Sequence, residues 1–75
     1  FNPITTISVD ISSNDKFNLS VFNIKGSLVE QIYNGRKAPG NYAFNWDASD
    51  YSSGIYFIKL SYLNNYNYHK IMLVK

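Results

Sequence analysis

Apolar and polar residues alternate at period two through almost the whole chain. No window of about eleven residues carries the i, i+3, i+4, i+7 spacing of an amphipathic helix. A chain patterned this way buries one side of each segment and wets the other, which predicts strands. Ile7, Val9 and Ile11 share one face of a strand over Ile4–Ile11, with Ser8 and Asp10 opposite. Ser12-Ser13-Asn14-Asp15 is a turn cluster. Phe17, Leu19 and Val21 define a second strand that is expected to run on through Phe22 and Ile24. Lys25-Gly26 then reads as a primed hairpin turn, for which Gly26 supplies the positive φ.

The third strand, Leu28–Tyr33, is the weakest, because Leu28, Val29 and Ile32 do not share one parity; a bulge or bend is expected there. Asn34-Gly35 reads as a turn, and the loop Arg36–Gly40 follows, with Pro39 barred from a central strand. Tyr42, Phe44 and Trp46 make the cleanest alternation, against Ala43, Asn45 and Asp47. After a polar loop over Ala48–Ser53, Gly54 opens a fifth strand, Ile55–Leu63, which Asn64-Asn65 closes. A last strand covers Tyr66–Lys75. Strands at spacings of roughly 8–12 residues predict an all-β, Ig-like antiparallel sandwich of about six to seven short strands. The expected core is Leu19, Val21, Tyr42, Phe44, Trp46, Tyr56, Ile58 and Leu60.

Composition narrows the function. The chain has 75 residues, no cysteine, one histidine and a net charge of +2 with only 16% charged residues. Disulfides and cysteine-based zinc sites are excluded, and the charge is too sparse for a nucleic-acid module held by phosphate contacts. No apolar run approaches the roughly 18 residues of a membrane helix. Aromatics at 17% argue against disorder. Ten asparagines and nine serines make an uncharged polar surface suited to an extracellular module. Phe1 is no start residue and no charged segment leads into an apolar stretch, so residues 1–75 are read as one domain cut from something longer, with no bearing on its destination.

No reactive constellation stands out. The carboxylates Asp10, Asp15, Glu30, Asp47 and Asp50 lie on solvent faces, in turns or on the weak strand. Trp46-Asp47-Ala48-Ser49-Asp50 does not match a calcium loop, and Asp47 and Asp50 are expected to cap turns. His69 has no nucleophile at a recognisable spacing and reads as a surface or strand-edge imidazole. Asn18-Leu19-Ser20 fits a glycosylation sequon but lies inside a strand. The chain is therefore read as non-catalytic, with no cofactor and no metal.

Three features carry more weight. The Tyr42-Phe44-Trp46 face reads as core, and a platform for stacking sugar rings is the competing reading. Ser52-Ser53-Gly54-Ile55-Tyr56-Phe57-Ile58 has the spacing of a tyrosine corner, with the Tyr56 hydroxyl expected to bond back to the backbone near Asp50–Ser52 and Ile58 standing in the inter-sheet cysteine position. Lys70-Ile71-Met72-Leu73-Val74-Lys75 is read as the one place where alternation fails. Either that strand is covered on both faces, or its outer face and edge meet a partner. A lysine at each end is what a protected edge often carries.

The order of motifs then resembles a known family. Asn2-Pro3-Ile4-Thr5-Thr6-Ile7 is followed by Leu19-Ser20-Val21-Phe22-Asn23-Ile24-Lys25-Gly26 and Leu28-Val29. Pro39-Gly40 leads into Phe44-Asn45-Trp46-Asp47, then Ser53-Gly54-Ile55-Tyr56-Phe57, and Lys70–Lys75 closes the chain. Over its whole length the chain resembles the type A C-terminal sorting domain of proteins exported by type IX secretion. It also resembles the related Ig-like domain of the flagellar-hook capping protein. Phe22 stands where the family usually has Tyr, and Ala48 where it often has Gly.

The resemblance implies a non-catalytic label at the end of a surface or secreted protein of a Bacteroidetes-type bacterium. Its partners would be the type IX machinery and the N-terminal passenger of the same precursor, reached by way of the periplasm. Lys70, Ile71, Met72, Leu73, Val74 and Lys75 are the expected recognition strand, and Trp46, Asp47, Gly54 and Tyr56 the expected structural residues. An accessory glycan- or protein-binding module and a structural spacer are the alternatives. An exposed aromatic patch would favour the accessory module.

Overall fold

A computed structural model describes residues 3–74. Every regular element among them is a strand: β1 (Ile4–Ile11), β2 (Lys16–Asn23), β3 (Leu28–Arg36), β4 (Gly40–Asp47), β5 (Gly54–Tyr62) and β6 (Asn65–Leu73). β1 and β4 pair as a two-stranded sheet, and the others form a four-stranded sheet in the order β3-β2-β5-β6. All pairings are antiparallel. The two sheets face each other as a small β-sandwich, the architecture the alternation predicts.

The core follows the predicted parity. Val9 and Ile11 point inward from β1, Phe17, Leu19 and Val21 from β2, Trp46 from β4, Tyr56 and Ile58 from β5 and Leu73 from β6; all are buried. Tyr42, Phe44 and Leu60, expected in the core, are half-buried and pack against it. Rings join the sheets: Phe44 of β4 lies 6.3 Å from Phe17 and 5.5 Å from Tyr33 between centroids. Trp46 is fully buried and meets the Tyr56 ring edge-on at 5.6 Å.

Several boundaries differ from the sequence reading, each for a local reason. Asn34-Gly35 makes no turn: β3 continues to Arg36, with Gly35 opposite Phe17. Tyr33 stacks on Phe17 at 4.9 Å, and its hydroxyl lies 3.2 Å from where a Cβ on Gly35 would stand. Glycine here makes room for a ring, and the chain reverses at residues 37–39 instead. The mixed parity of β3 is resolved by two register shifts against β2, which leave Ile32 and Val29 without direct partners. Both then turn to the core, while Leu28 is exposed.

β2 stops at Asn23, not Ile24. The Asn23 side-chain oxygen accepts the Lys25 and Ser27 N–H groups, both at 3.0 Å, and its carbonyl accepts the Gly26 N–H. Ile24 is thereby drawn into the turn and left 67% exposed. Gly26 has φ +83°, yet Ile24 and Lys25 are not among the positive-φ residues, so the turn is not primed. The primed turn is at Leu63-Asn64, where φ is +52° and +62°. β5 therefore ends at Tyr62, which pairs with Asn65, the first residue of β6.

Long-range contacts fix the crossovers. The Tyr62 hydroxyl accepts the Ser12 and Ser13 N–H groups at 3.1 and 2.8 Å, pinning the β1–β2 connection to the end of β5. Ala48 N–H donates to the Pro3 carbonyl at 2.6 Å, tying the start of β1 to the end of β4. Lys37 sits 5.1 and 5.0 Å from the Tyr33 and Tyr42 ring centres, which clasps the β3–β4 connection.

Two substitutions test this account. Trp46→Ala removes a fully buried indole, a loss of about 3–5 kcal/mol, and a domain of this size has little more in total. Loss of the cooperative melting transition is expected; a melting temperature within a few degrees of the parent would refute the core assignment. Leucine at φ +52° costs about 1–2 kcal/mol relative to a residue suited to that region. Leu63→Asn is expected to raise the melting temperature by about 4–8 °C, whereas Leu63→Val should lower it.

Candidate functional site

The expected structural residues meet around the end of β4 and the start of β5. Trp46 enters the core from β4, and its Nε1–H donates to Glu30 Oε1 at 3.3 Å. The Tyr51 hydroxyl donates to the same carboxylate oxygen at 3.1 Å. Glu30 on β3 therefore turns inward as the acceptor for two aromatic donors. The sequence reading left it without a role, because the β3 bulges hide its parity. Burial, then the nearby Glu30 carboxylate, raises the Tyr51 pKa above the ordinary tyrosine value.

Asp47 caps the loop that follows: its Oδ1 accepts the Ser49 N–H at 3.0 Å and also the Ser49 hydroxyl. The equivalent cap expected from Asp50 is not among the hydrogen bonds found in the described residues. Gly54 opens β5 at φ +153° with no atom within 4 Å of a would-be Cβ, so its requirement is conformational, not spatial. Tyr56 forms the corner expected from the sequence, its hydroxyl donating to the Ser52 carbonyl at 2.6 Å. These side chains set geometry. None is arranged as a base beside a nucleophile, and no three of His, Cys, Asp and Glu cluster for a metal among the described residues.

β6 holds Lys70–Leu73 of the expected recognition strand; it ends at Leu73, short of the expected Tyr66–Lys75 span, and Val74 follows it. Among the described residues it pairs with β5 alone and forms an edge of the four-stranded sheet. Residues 65–70 are exposed, and burial alternates only after them: Ile71 half-buried, Met72 57% exposed, Leu73 1% exposed and Val74 57% exposed. The run Ile71–Val74 is thus not covered on both faces, and its pleat is ordinary. What departs from the pattern is apolar residues on the outward side. Lys70 is exposed on that side, and Lys75 lies outside the described residues, as does Asn2 of the N-terminal motif.

The two-stranded sheet leaves residues 65–70 of β6 uncovered, while Ile71 and Leu73 reach the core. A cleft of about 410 Å³ separates β1 from β6, lined by Thr5, Ile7, Leu60, His69 and Ile71 among others. His69 is exposed at this cleft, as a strand-edge imidazole. Within the sheet the Ser20 hydroxyl of the sequon donates to Asn18 Oδ1 and the Asn18 amide donates to Gln31 Oε1, and Leu19 between them is buried.

The sequence reading missed the outer face of the four-stranded sheet. Tyr66 and Tyr68 are each 63% exposed there, and the Lys59 ammonium lies 4.3 Å from the Tyr66 ring centre and 5.8 Å from those of Tyr68 and Phe22. A signal was present: Ile55-Tyr56-Phe57-Ile58 is as continuously apolar as Ile71–Val74, so alternation fails twice, on neighbouring strands.

A model of the secretion-system C-terminal sorting domain matches residues 2–75. The chain belongs to that family. Its members are sorting signals of type IX secretion, a role that implies contact with the export machinery and delivery to the cell surface or beyond. No curated protein and no solved structure matches this chain.

The corner can be tested without disturbing the packing. Tyr56→Phe keeps the ring against Trp46 and removes only the bond to Ser52, so it is expected to cost about 1 kcal/mol. Thermal melting should fall by about 4–8 °C; an unchanged transition would show that the corner does not hold the β4–β5 loop.

Proposed function

We propose that residues 1–75 act as one terminal delivery unit, carrying a passenger fused ahead of it through the periplasm and across the outer membrane, with β6 as the element the export machinery docks on. The observation that carries the docking assignment is the state of β6: an edge strand exposed over residues 65–70, with Met72 and, just past its end, Val74 exposed as well. An edge strand presents one side of its backbone and its outward side chains at once, as strand-addition partners require. The full-length family match supports the sorting role itself.

The accessory glycan-binding reading loses its first candidate surface, since Trp46 is fully buried and Tyr42 and Phe44 pack against the core. Its discriminating feature, an exposed aromatic patch, is nevertheless found on β6 at Tyr66 and Tyr68.

A reporter exported to the periplasm, with residues 1–75 fused behind it in a bacterium that has type IX secretion, is expected to reach the cell surface or medium. Without the domain it should stay in the periplasm. Met72→Ser alters an exposed side chain, so the melting temperature should stay within about 4 °C of the parent while the reporter accumulates in the periplasm. Normal export of this folded variant would remove Met72 from the docking element.

A further inference from the structure

The outward sides of the two sheets differ in chemistry. On the two-stranded sheet, outward residues are mostly short and polar, with Ile4 the exposed exception at the start of β1: Thr6 bonds to Asn45, and Asn41 to Asp10. On the four-stranded sheet, the pleat and register place Phe22 of β2, Ile55, Phe57 and Lys59 of β5, and Tyr66, Tyr68, Lys70 and Met72 of β6 on one surface. Leu28 and Ile24 extend it at 59% and 67% exposure. Lys16, Lys59 and Lys70 are the lysines at outward positions, and the four strands carry one carboxylate, Glu30, which turns inward to Trp46.

We infer that this face, centred on Lys59, is a docking surface for an acidic, apolar segment of a partner protein, with a partner carboxylate received by the Lys59 ammonium. This rests on the sorting reading above and names the chemistry of its partner. Three observations favour that occupant. Lys59 is half-buried among Phe22, Tyr66 and Tyr68, so its ammonium is held over these rings before any partner arrives. A carboxylate meeting it would form a charge-assisted pair flanked by rings and aliphatic groups that a docked segment would cover.

Second, the face carries cations and no outward carboxylate. A second copy of the chain, docked face to face, would set lysine against lysine. Third, the ammonium occupies the ring faces of Tyr66 and Tyr68 on which a sugar would stack, and the flanking Leu28, Phe57 and Met72 match side chains better than hydroxyls.

The test uses the export fusion. Lys59→Glu is expected to lower surface delivery by roughly tenfold or more through like-charge repulsion. Lys59→Arg, which keeps charge and ring contacts, should deliver like the parent. Lys16→Glu/Lys70→Glu reverses the exposed rim without touching the rings, and should impair delivery even if Lys59→Glu proves unfolded on melting of the purified chain. Asn45→Glu on the opposite sheet should have no effect. Placing a photoreactive benzoylphenylalanine at position 68, with position 43 as control, should yield a cross-link at 68 alone, to a peptide rich in Asp or Glu. Normal export of the folded Lys59→Glu variant and of the rim variant would overturn the inference. So would cross-links at 68 to lipopolysaccharide, to a second copy of the chain or to a basic peptide. Failure of the parent fusion to export would overturn the sorting reading itself, a result distinct from all of these.

Discussion

The sandwich depends on one aromatic insertion. Among the described residues β1 and β4 form no hydrogen-bonded ladder with the other four strands, so side-chain packing and the connecting loops hold the two sheets together. Trp46 is the largest of the fully buried side chains, and it is wedged from β4 against Tyr56 of β5 and Tyr51 of the following loop. Its indole N–H needs an acceptor once water is excluded, and Glu30 provides it from β3. One residue thus ties four separate parts of the chain to a common point. Asp47 and Tyr56 fix the loop that departs from it.

Period-two patterning made the strand count, the sandwich and half of the buried core legible in the residues alone: Leu19, Val21, Trp46, Tyr56 and Ile58 were expected there, Ala48 and Leu73 were not. Tyr56 was legible for a different reason: a corner is a short-range arrangement, and its hydroxyl finds a carbonyl four residues earlier. What escaped was set by long-range fit. Asn34-Gly35 has the local chemistry of a turn, but the Tyr33 ring stacked on Phe17 claims the space beside Gly35 and keeps the strand running. Glu30 escaped because two bulges on β3 change which side chains face inward, and no local pattern announces them.

The docking surface was half legible. Four apolar residues in succession at Ile71–Val74 marked a strand with apolar groups on both sides, and that strand does expose Met72 and Val74. The partner of that signal lay at Ile55–Ile58, and the pairing of Ile55 with Met72 and of Lys59 with Tyr68 makes the two runs one surface. Register, which sequence spacing does not specify across a hairpin, was the missing information. With it, a lysine on one strand and two tyrosines on the next become a single cationic aromatic centre.

The sparse burial of β6 bears on how the molecule breathes. Of the nine residues in β6, Leu73 alone is buried, and among the described residues the strand pairs with β5 alone. β1, β2, β4 and β5 are bound by Trp46, by the Tyr62 hydroxyl and by pairings between distant segments. Opening of β6 therefore releases one buried leucine and one half-buried isoleucine, while the rest of the sandwich keeps its contacts. Its amides are then expected to exchange with water through local fluctuation, not through unfolding of the whole. Each such excursion would uncover the ladder of β5, a second template of backbone donors and acceptors beneath the first. A strand that opens in this way leaves the folded remainder as the handle that holds it in place.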